Sequence, residues 1–131
     1  VPTFDQQERL KSRKIIGSLF KEGQAYVAYP LRVVWVPTPP PEGAPAPDYP
    51  AQVAVSVSKR LFKTAVARNR IKRQIREAYR LHKHELYAKL GDPPRRISLM
   101  LSYIAKEPLP FADIEAGVKK MVRKMPAPTL P

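Results

Sequence analysis

Cysteine is absent from all 131 residues, which excludes disulfides, thiolate catalysis and Cys-ligated zinc together and agrees with a reducing, cytoplasmic setting. Long apolar runs are absent as well. Nothing approaches the roughly 18–20 residues needed to span a bilayer, and the amino terminus has no signal-peptide core, so the chain reads as soluble. Glycine is scarce, at five residues, and no phosphate-cradling Gly-rich loop or nucleophile motif occurs. The two histidines, His82 and His84, are not on one helical face, and no carboxylate stands at a helical spacing that would complete a metal site with either. His82, inside an apolar stripe, reads as a packed or hydrogen-bonded core residue. No catalytic residue and no protein-bound metal are therefore expected. The chain opens on Val1-Pro2 rather than methionine, which suggests a trimmed natural start.

Acid is also in short supply: 24 Lys and Arg face 11 Asp and Glu, for a net charge of +13. Such a balance points to a nucleic acid or an anionic membrane surface as partner. The excess is local. Residues 1–58 hold six basic and five acidic side chains, while 59–131 hold eighteen and six, which implies a patch rather than a basic tail. The length suits one domain over 1–131 with a real core.

The patch centres on residues 67–80, ARNRIKRQIREAYR. At about 100° per residue on a helix, Ala67, Ile71, Ile75, Ala78 and Tyr79 share one side, continued by His82 and Leu86. Arg70, Lys72, Arg73, Arg76 and Arg80 fall on the opposite arc with Asn69 and Lys83. Arg68 lies off this arc, at the helix start near the apolar side. Like charges three and four residues apart each cost a few tenths of a kcal/mol, so this face is not there for helix stability. Arginine's planar fork suits phosphate oxygens and base edges. The plain alternative is a solvated helix face, although such faces usually mix Glu with Lys. Glu77, the one acid in the stretch, reads as a local charge partner.

Around this helix the chain divides readily. Ser12 to Gly23 reads as a short helix with Ile15-Ile16 and Leu19-Phe20 at i,i+4. Ala28 to Val36 reads as one strand with Pro30 near its start. The seven prolines between Pro37 and Pro50 read as an exposed connection, with a ligand for a proline-binding module as the alternative. Ala51 to Ser58 alternates, with Val53, Val55 and Val57 on one face and small Ala54, Ser56 and Ser58 on the other. The central helix spans Thr64 or Ala65 to about Leu90, where Gly91-Asp92-Pro93-Pro94 stops it. Ile97 to Ile104 is a strand apolar on both faces, as in the middle of a sheet. Phe111 to Met125 forms a last amphipathic helix whose closing cations suit its negative end. Residues 1–11, apart from Phe4 and Leu10, and 126–131 read as loosely held ends. The order predicts an α+β sandwich of two layers, a small sheet with helices on one face.

Val55 to Arg76, VSVSKRLFKTAVARNRIKRQIR, resembles the signature of the bacterial ribonuclease P protein subunit: a strand ending S-V-S-K, a basic turn, then an R-N-R-x-K-R helix. Weaker matches lie at Arg9-Leu10, Phe20, Gly23 and Ile104-Ala105-Lys106. The chain departs from the pattern in the turn, where Leu61-Phe62-Lys63-Thr64 stands in place of the family's frequent Gly or Asn, and at Ile16, where an aromatic is frequent. The resemblance implies a short extra strand and a left-handed β-α-β crossover through the central helix, against the right-handed default. It implies an endoribonuclease in which the RNA subunit, with bound Mg²⁺, removes the 5′ leader from precursor tRNA, the protein itself being non-catalytic. Its partners would be ribonuclease P RNA and precursor tRNA, with no membrane and no obligate protein partner.

Carried over residue by residue, the resemblance assigns Arg68, Asn69, Arg70, Lys72, Arg73 and Arg76 to the catalytic RNA, and Arg80 joins them on the basic arc. It assigns Phe20, Ser56, Ser58, Lys59, Tyr103 and Lys106 to a cleft for the single-stranded leader. A stacking ring and flanking cations over a small-residue floor suit a single strand better than a duplex. The alternative for Phe20 and Tyr103 is a place in the core. A purely structural, ribosomal-type RNA-binding protein is the competing function, which composition alone does not separate from the first.

Overall fold

The computed structural model describes residues 9–10, 13–38, 50–91 and 96–125. In chain order it contains α1 (Arg13–Glu22), β1 (Gln24–Ala28), β2 (Leu31–Pro37), β3 (Ala51–Val57), α2 (Ala65–Lys89), β4 (Ile97–Tyr103) and α3 (Phe111–Lys124). The strands form one sheet in the order β1-β2-β4-β3. β1 with β2 and β2 with β4 run antiparallel, while β3 and β4 are parallel neighbours joined through α2. This is the expected α+β architecture, with β4 in the sheet interior.

The expected single strand over 28–36 is instead a hairpin, β1 and β2, turning at Tyr29-Pro30. Pro30 belongs to the turn, not to a strand start. β1, QAYVA, is mostly exposed and lacks the apolar density that marks β2. It is held by pairing along β2 and by the Tyr26 hydroxyl, which donates to the Met121 carbonyl of α3 at 2.8 Å. β2 runs into the proline-rich stretch as far as Pro37, which pairs with Ile97, and Pro50 accepts a hydrogen bond from the Ile97 N–H at 3.0 Å. The rest of the expected loop, 39–49, lies outside the described residues, as do Ser12, Pro93-Pro94 and 126–131. Leu10 is held, as expected, by its N–H, which donates to the Val53 carbonyl at 2.9 Å, and Arg9, from the end expected to be loose, bridges to Val53 beside it.

Alternation along the strands divides the sheet between two cores. Leu31, Val33, Leu99, Leu101 and Tyr103 join Ile71, Ile75, Tyr79, Ile114, Val118 and Met121 beneath α2 and α3. Each fully buried Leu there contributes about 1.5–3 kcal/mol. Val34 and Met100 point the other way and join Leu10 and Leu19. Helices on one face only is therefore a correction: α1 packs on the opposite face. The physical reason is that α2 and α3 already fill the first face, so the apolar edge of α1, with Leu19 buried and Ile15 and Ile16 half-buried, finds its cover on the second.

The stripe of α2 is buried as expected at Ile71, Ile75, Ala78, Tyr79 and Leu86. The Thr64 hydroxyl accepts from the Ala67 N–H at 3.2 Å to cap its start, and Gly91, with φ of 87°, closes it in a conformation that favours glycine. His82 is hydrogen-bonded, its Nε2 lying 2.9 Å from Glu115 Oε2 of α3. Lys83 leaves the expected basic arc: it is buried, with Nζ 5.8 Å from the centroid of the Tyr87 ring, its stem serving as packing. Lys89 Nζ donates to the carbonyls of Val122, Arg123 and Met125 at 2.7, 2.7 and 2.8 Å, tying α2 to the negative end of α3.

Candidate nucleic-acid interface

The basic arc of α2 splits into two flanks. Asn69, Arg73, Arg76, Glu77 and Arg80 line one cleft together with Arg9. Arg70 faces the other side, in an apolar groove of about 580 Å³ shared with Val66, Gln74 and Phe111. Asn69, Arg70 and Arg73 are exposed, whereas Lys72, Arg76 and Arg80 are half-buried. Glu77 is the local partner expected: Arg80 donates to both of its oxygens, at 3.0 and 2.6 Å. That bond holds the Glu77 carboxyl below its usual range and raises the Arg80 guanidinium. Arg76 is lowered, first by burial and then by the nearby positive charge of Arg9.

Arg68 does not face outward with the others. Its guanidinium donates to the Phe62 carbonyl at 2.7 Å and so holds the turn that leads into α2. The same turn is fixed by a Phe62 N–H bond to the Ser58 carbonyl at 3.0 Å and by the Ser58 hydroxyl, which accepts from the Arg60 N–H at 3.1 Å. Phe62 is buried, its ring centroid 5.7 Å from that of Tyr103. Leu61-Phe62-Lys63-Thr64 thus makes its turn with a buried ring as the anchor.

Tyr103 was expected in the leader cleft, and the structure places it in the core. It is 2% exposed, its hydroxyl donates to the Glu107 carbonyl at 2.7 Å and accepts from the Leu109 N–H at 3.0 Å, and burial raises its phenol above the usual range. The reason is parity. Tyr103 shares the face of Leu99 and Leu101, against α2. Phe20, in contrast, is 69% exposed on α1, while its neighbour Leu19 is buried. Ile16 packs into the second core.

On the α1 face, one cross-strand row is left outside that second core: Val27 opposite Arg32, Arg32 opposite Ser102, and Ser102 opposite Ser56. Val27 and Arg32 are exposed, and both serines are half-buried. Because β3 and β4 are parallel, Lys59 and Lys106 leave the sheet at the same end, just past this row, and both are exposed. The structure therefore brings Ser56, Lys59 and Lys106 to one end of the sheet and sets Phe20 on the same face. Ser58, half-buried in the turn beside Lys59, contributes through its hydrogen bond.

The sequence family Ribonuclease P matches residues 4–125. The chain belongs to the ribonuclease P protein family. Its similarity to the ribonuclease P protein component of Porphyromonas gingivalis is 38% identity over 121 residues, covering 91% of this chain and 85% of the relative. With that of Chlorobaculum tepidum it is 31% over 130 residues, covering 95% and 83%. The fold is similar to the solved RNase P proteins of Staphylococcus aureus, at a TM-score of 0.68, 19% identity and coverage of 92% and 96%, and of Thermotoga maritima, at 0.68, 21%, 91% and 98%.

Sequence reasoning missed Arg32 and Arg9 among the cations of these surfaces and Ser102 in the uncovered row. Arg32 carried a signal, as the lone cation in an apolar strand. Ser102 had none without the register that sets it opposite Ser56. Among the described residues no helix is long and apolar enough to cross a membrane, and no group of three or more His, Asp or Glu could hold a metal ion.

Proposed function

We propose that this protein is the protein subunit of ribonuclease P, working in the cytoplasm with ribonuclease P RNA on precursor tRNA. The RNA subunit carries the cleavage chemistry, and the protein binds and positions. The observation that carries the reading is the meeting of two surfaces on one small sheet: the cationic flank of α2, and an uncovered row of small residues bounded by Phe20, Lys59 and Lys106. Asn69, Arg70, Lys72, Arg73, Arg76 and Arg80 hold the catalytic RNA through phosphate contacts. Arg68 acts through the turn it braces.

The leader lies over Ser56, with Phe20 available to stack on a base and Arg32, Lys59 and Lys106 on its phosphates. Ser58 shapes the turn beside Lys59. Tyr103 is left out of this cleft. The required Mg²⁺ belongs to the RNA, since guanidinium and ammonium groups repel a divalent cation and the one carboxylate in the α2 cleft is already bonded by Arg80. Holding the RNA by fixed cations screens its phosphates, which lowers the Mg²⁺ needed for cleavage.

The test is cleavage of precursor tRNA at low Mg²⁺ by ribonuclease P RNA, with and without this protein. Accurate leader removal is expected only when both are present, and the protein alone should cut nothing. Robust cleavage by RNA-free protein, or no effect on the RNA's reaction, would reject the reading. In the second case a structural RNA-binding role would take its place.

A further inference from the structure

Two clefts meet at the outer edge of β3, a strand at the border of the sheet. One, of about 510 Å³, lies against α2, and the other, of about 260 Å³, is walled by Val53, Ala54 and Val55. Arg9 and Arg76 line both. They therefore stand at the junction between the basic flank of α2 and the side of β3. Ala54 packs with the second core, so the paired clefts lead from α2 round the strand edge towards the α1 face. The larger cleft has four guanidiniums, those of Arg9, Arg73, Arg76 and Arg80, against the single carboxylate of Glu77.

The position of Arg9 is set by the fold. Its backbone bridges to Val53, the next residue donates to the Val53 carbonyl at 2.9 Å, and Leu10 is buried against Leu19, Val34 and Met100. The backbone is thus held at Arg9 and Leu10, which sets one guanidinium near another. Arg76 is half-buried at that spot, and Arg9 contributes to lowering its proton affinity. Arg9 itself is exposed, and two like charges held near each other repel. An anion between them converts the repulsion into charge-assisted hydrogen bonds, for which the arginine fork is shaped.

We propose that Arg9 and Arg76 together grip one backbone phosphate of an RNA strand where it rounds the edge of β3, between α2 and the α1 face of the sheet. This rests on the reading of the protein as a ribonuclease P subunit. The grip contributes affinity and register, with no base preference of its own. The phosphodiester comes either from ribonuclease P RNA or from the leader of the precursor, and the two sources are separable.

The test uses the full-length chain as wild type, Arg9→Ala, Arg76→Ala and the double variant, with Arg70→Ala on the other flank as reference. Affinity for ribonuclease P RNA is measured against salt in one arm. In the other, the affinity of the reconstituted holoenzyme for precursor tRNA with and without a leader is measured in the same way. Arg9→Ala is expected to reduce the salt slope by about 0.7–0.9 log units, the share of one phosphate. The loss should fall in the first arm if the phosphate is in the catalytic RNA, or only on leader-bearing substrate if it is in the leader. The double variant should lose little more than Arg76→Ala alone, because both arginines serve one phosphate.

The melting midpoint of each variant is recorded alongside, so that a binding loss caused by unfolding is recognised. Wild-type slopes for Arg9→Ala in both arms, fully additive losses in the double variant, or a binding loss that tracks a lowered melting midpoint would each overturn the grip. Failure of the wild-type protein to bind ribonuclease P RNA at all would reject the underlying reading instead, and the two failures are told apart by that control.

Discussion

Beneath α2 and α3, Leu31, Val33, Leu99, Leu101 and Tyr103 are all between 0% and 2% exposed. On the other side of the same strands, Val27 and Arg32 are open to solvent, and Ser56 and Ser102 are half-covered. The residues involved are often chain neighbours: Arg32 lies between Leu31 and Val33, and Ser102 between Leu101 and Tyr103. One face closes because two helices bring apolar stripes to it. The other receives a single ten-residue helix, α1, too short to cover four strands. What remains uncovered is available to a ligand, and its edges are cationic. A small domain can therefore keep a stable core and an extended binding surface on one sheet, by assigning alternate residues to each.

The sharpest way to break this comparison is to truncate one aromatic from each side. Tyr103→Ala removes a buried ring and a hydroxyl bonded at two backbone groups, and is expected to cost about 3–5 kcal/mol of folding stability, with every RNA activity failing together. Thermal unfolding checks it. A near-normal melt would return Tyr103 to the cleft.

Phe20→Ala is expected to behave in the opposite way. Its stability should change by no more than about 0.5 kcal/mol, while the holoenzyme's affinity for leader-bearing precursor falls by roughly 1–3 kcal/mol, the worth of one stacked base. Mature tRNA should bind as before. Equal losses with and without a leader would mean that the open face is not the leader's site.

A smaller effect is expected at Arg32, in the middle of the uncovered row. Arg32→Ala should leave the melt unchanged and flatten the salt dependence of precursor binding by about 0.7–0.9 log units. An unaltered slope would remove Arg32 from the surface.

The smallest effect concerns pH and the closed side alone. Burial raises the phenols of Tyr26 and Tyr103, so the folded chain keeps protons that the unfolded chain releases near pH 10. Their stabilising contribution is complete below about pH 10 and declines as pH rises beyond it, because the folded state then binds more protons than the unfolded one. Tyr26→Phe gives up the hydrogen bond to the Met121 carbonyl, at about 0.5–1.5 kcal/mol, yet should flatten the alkaline decline in melting midpoint. A decline as steep as that of wild type would show that Tyr26 takes no part in it.

Much of the molecule is legible in its sequence. The stripe of α2, its Thr64 start and Gly91 stop, the alternation of β3 and the interior place of β4 are local patterns, fixed by helical and strand periodicity. The cationic character of α2 was equally plain, because six cations and one acid between residues 67 and 80 leave little room for another reading. β1 was not legible: its polar sequence becomes a strand only by pairing with β2 and by the Tyr26 bond to α3. Lys83 illustrates a further limit, since a cation on the polar arc by angle alone is buried by the tertiary packing.

The sequence by itself determined the elements, the apolar stripes and the charge of this protein, since these depend on spacing along a single segment. Which face of the sheet each strand residue serves was decided only by tertiary structure. In Ile97 to Ile104 one parity is Ile, Leu, Leu and Tyr and the other Ser, Met, Ser and Ile, so alternation separates Tyr103 from Ser102 without saying which helices cover either face. The choice comes from the register that sets Ser102 between Arg32 and Ser56 and Tyr103 opposite Leu31 and Val57, beneath α2. A shift of one residue would exchange the two faces. Strand pairing and helix docking, which join residues up to 97 positions apart, are what turned a basic α+β chain into a closed core with an open, cation-edged floor.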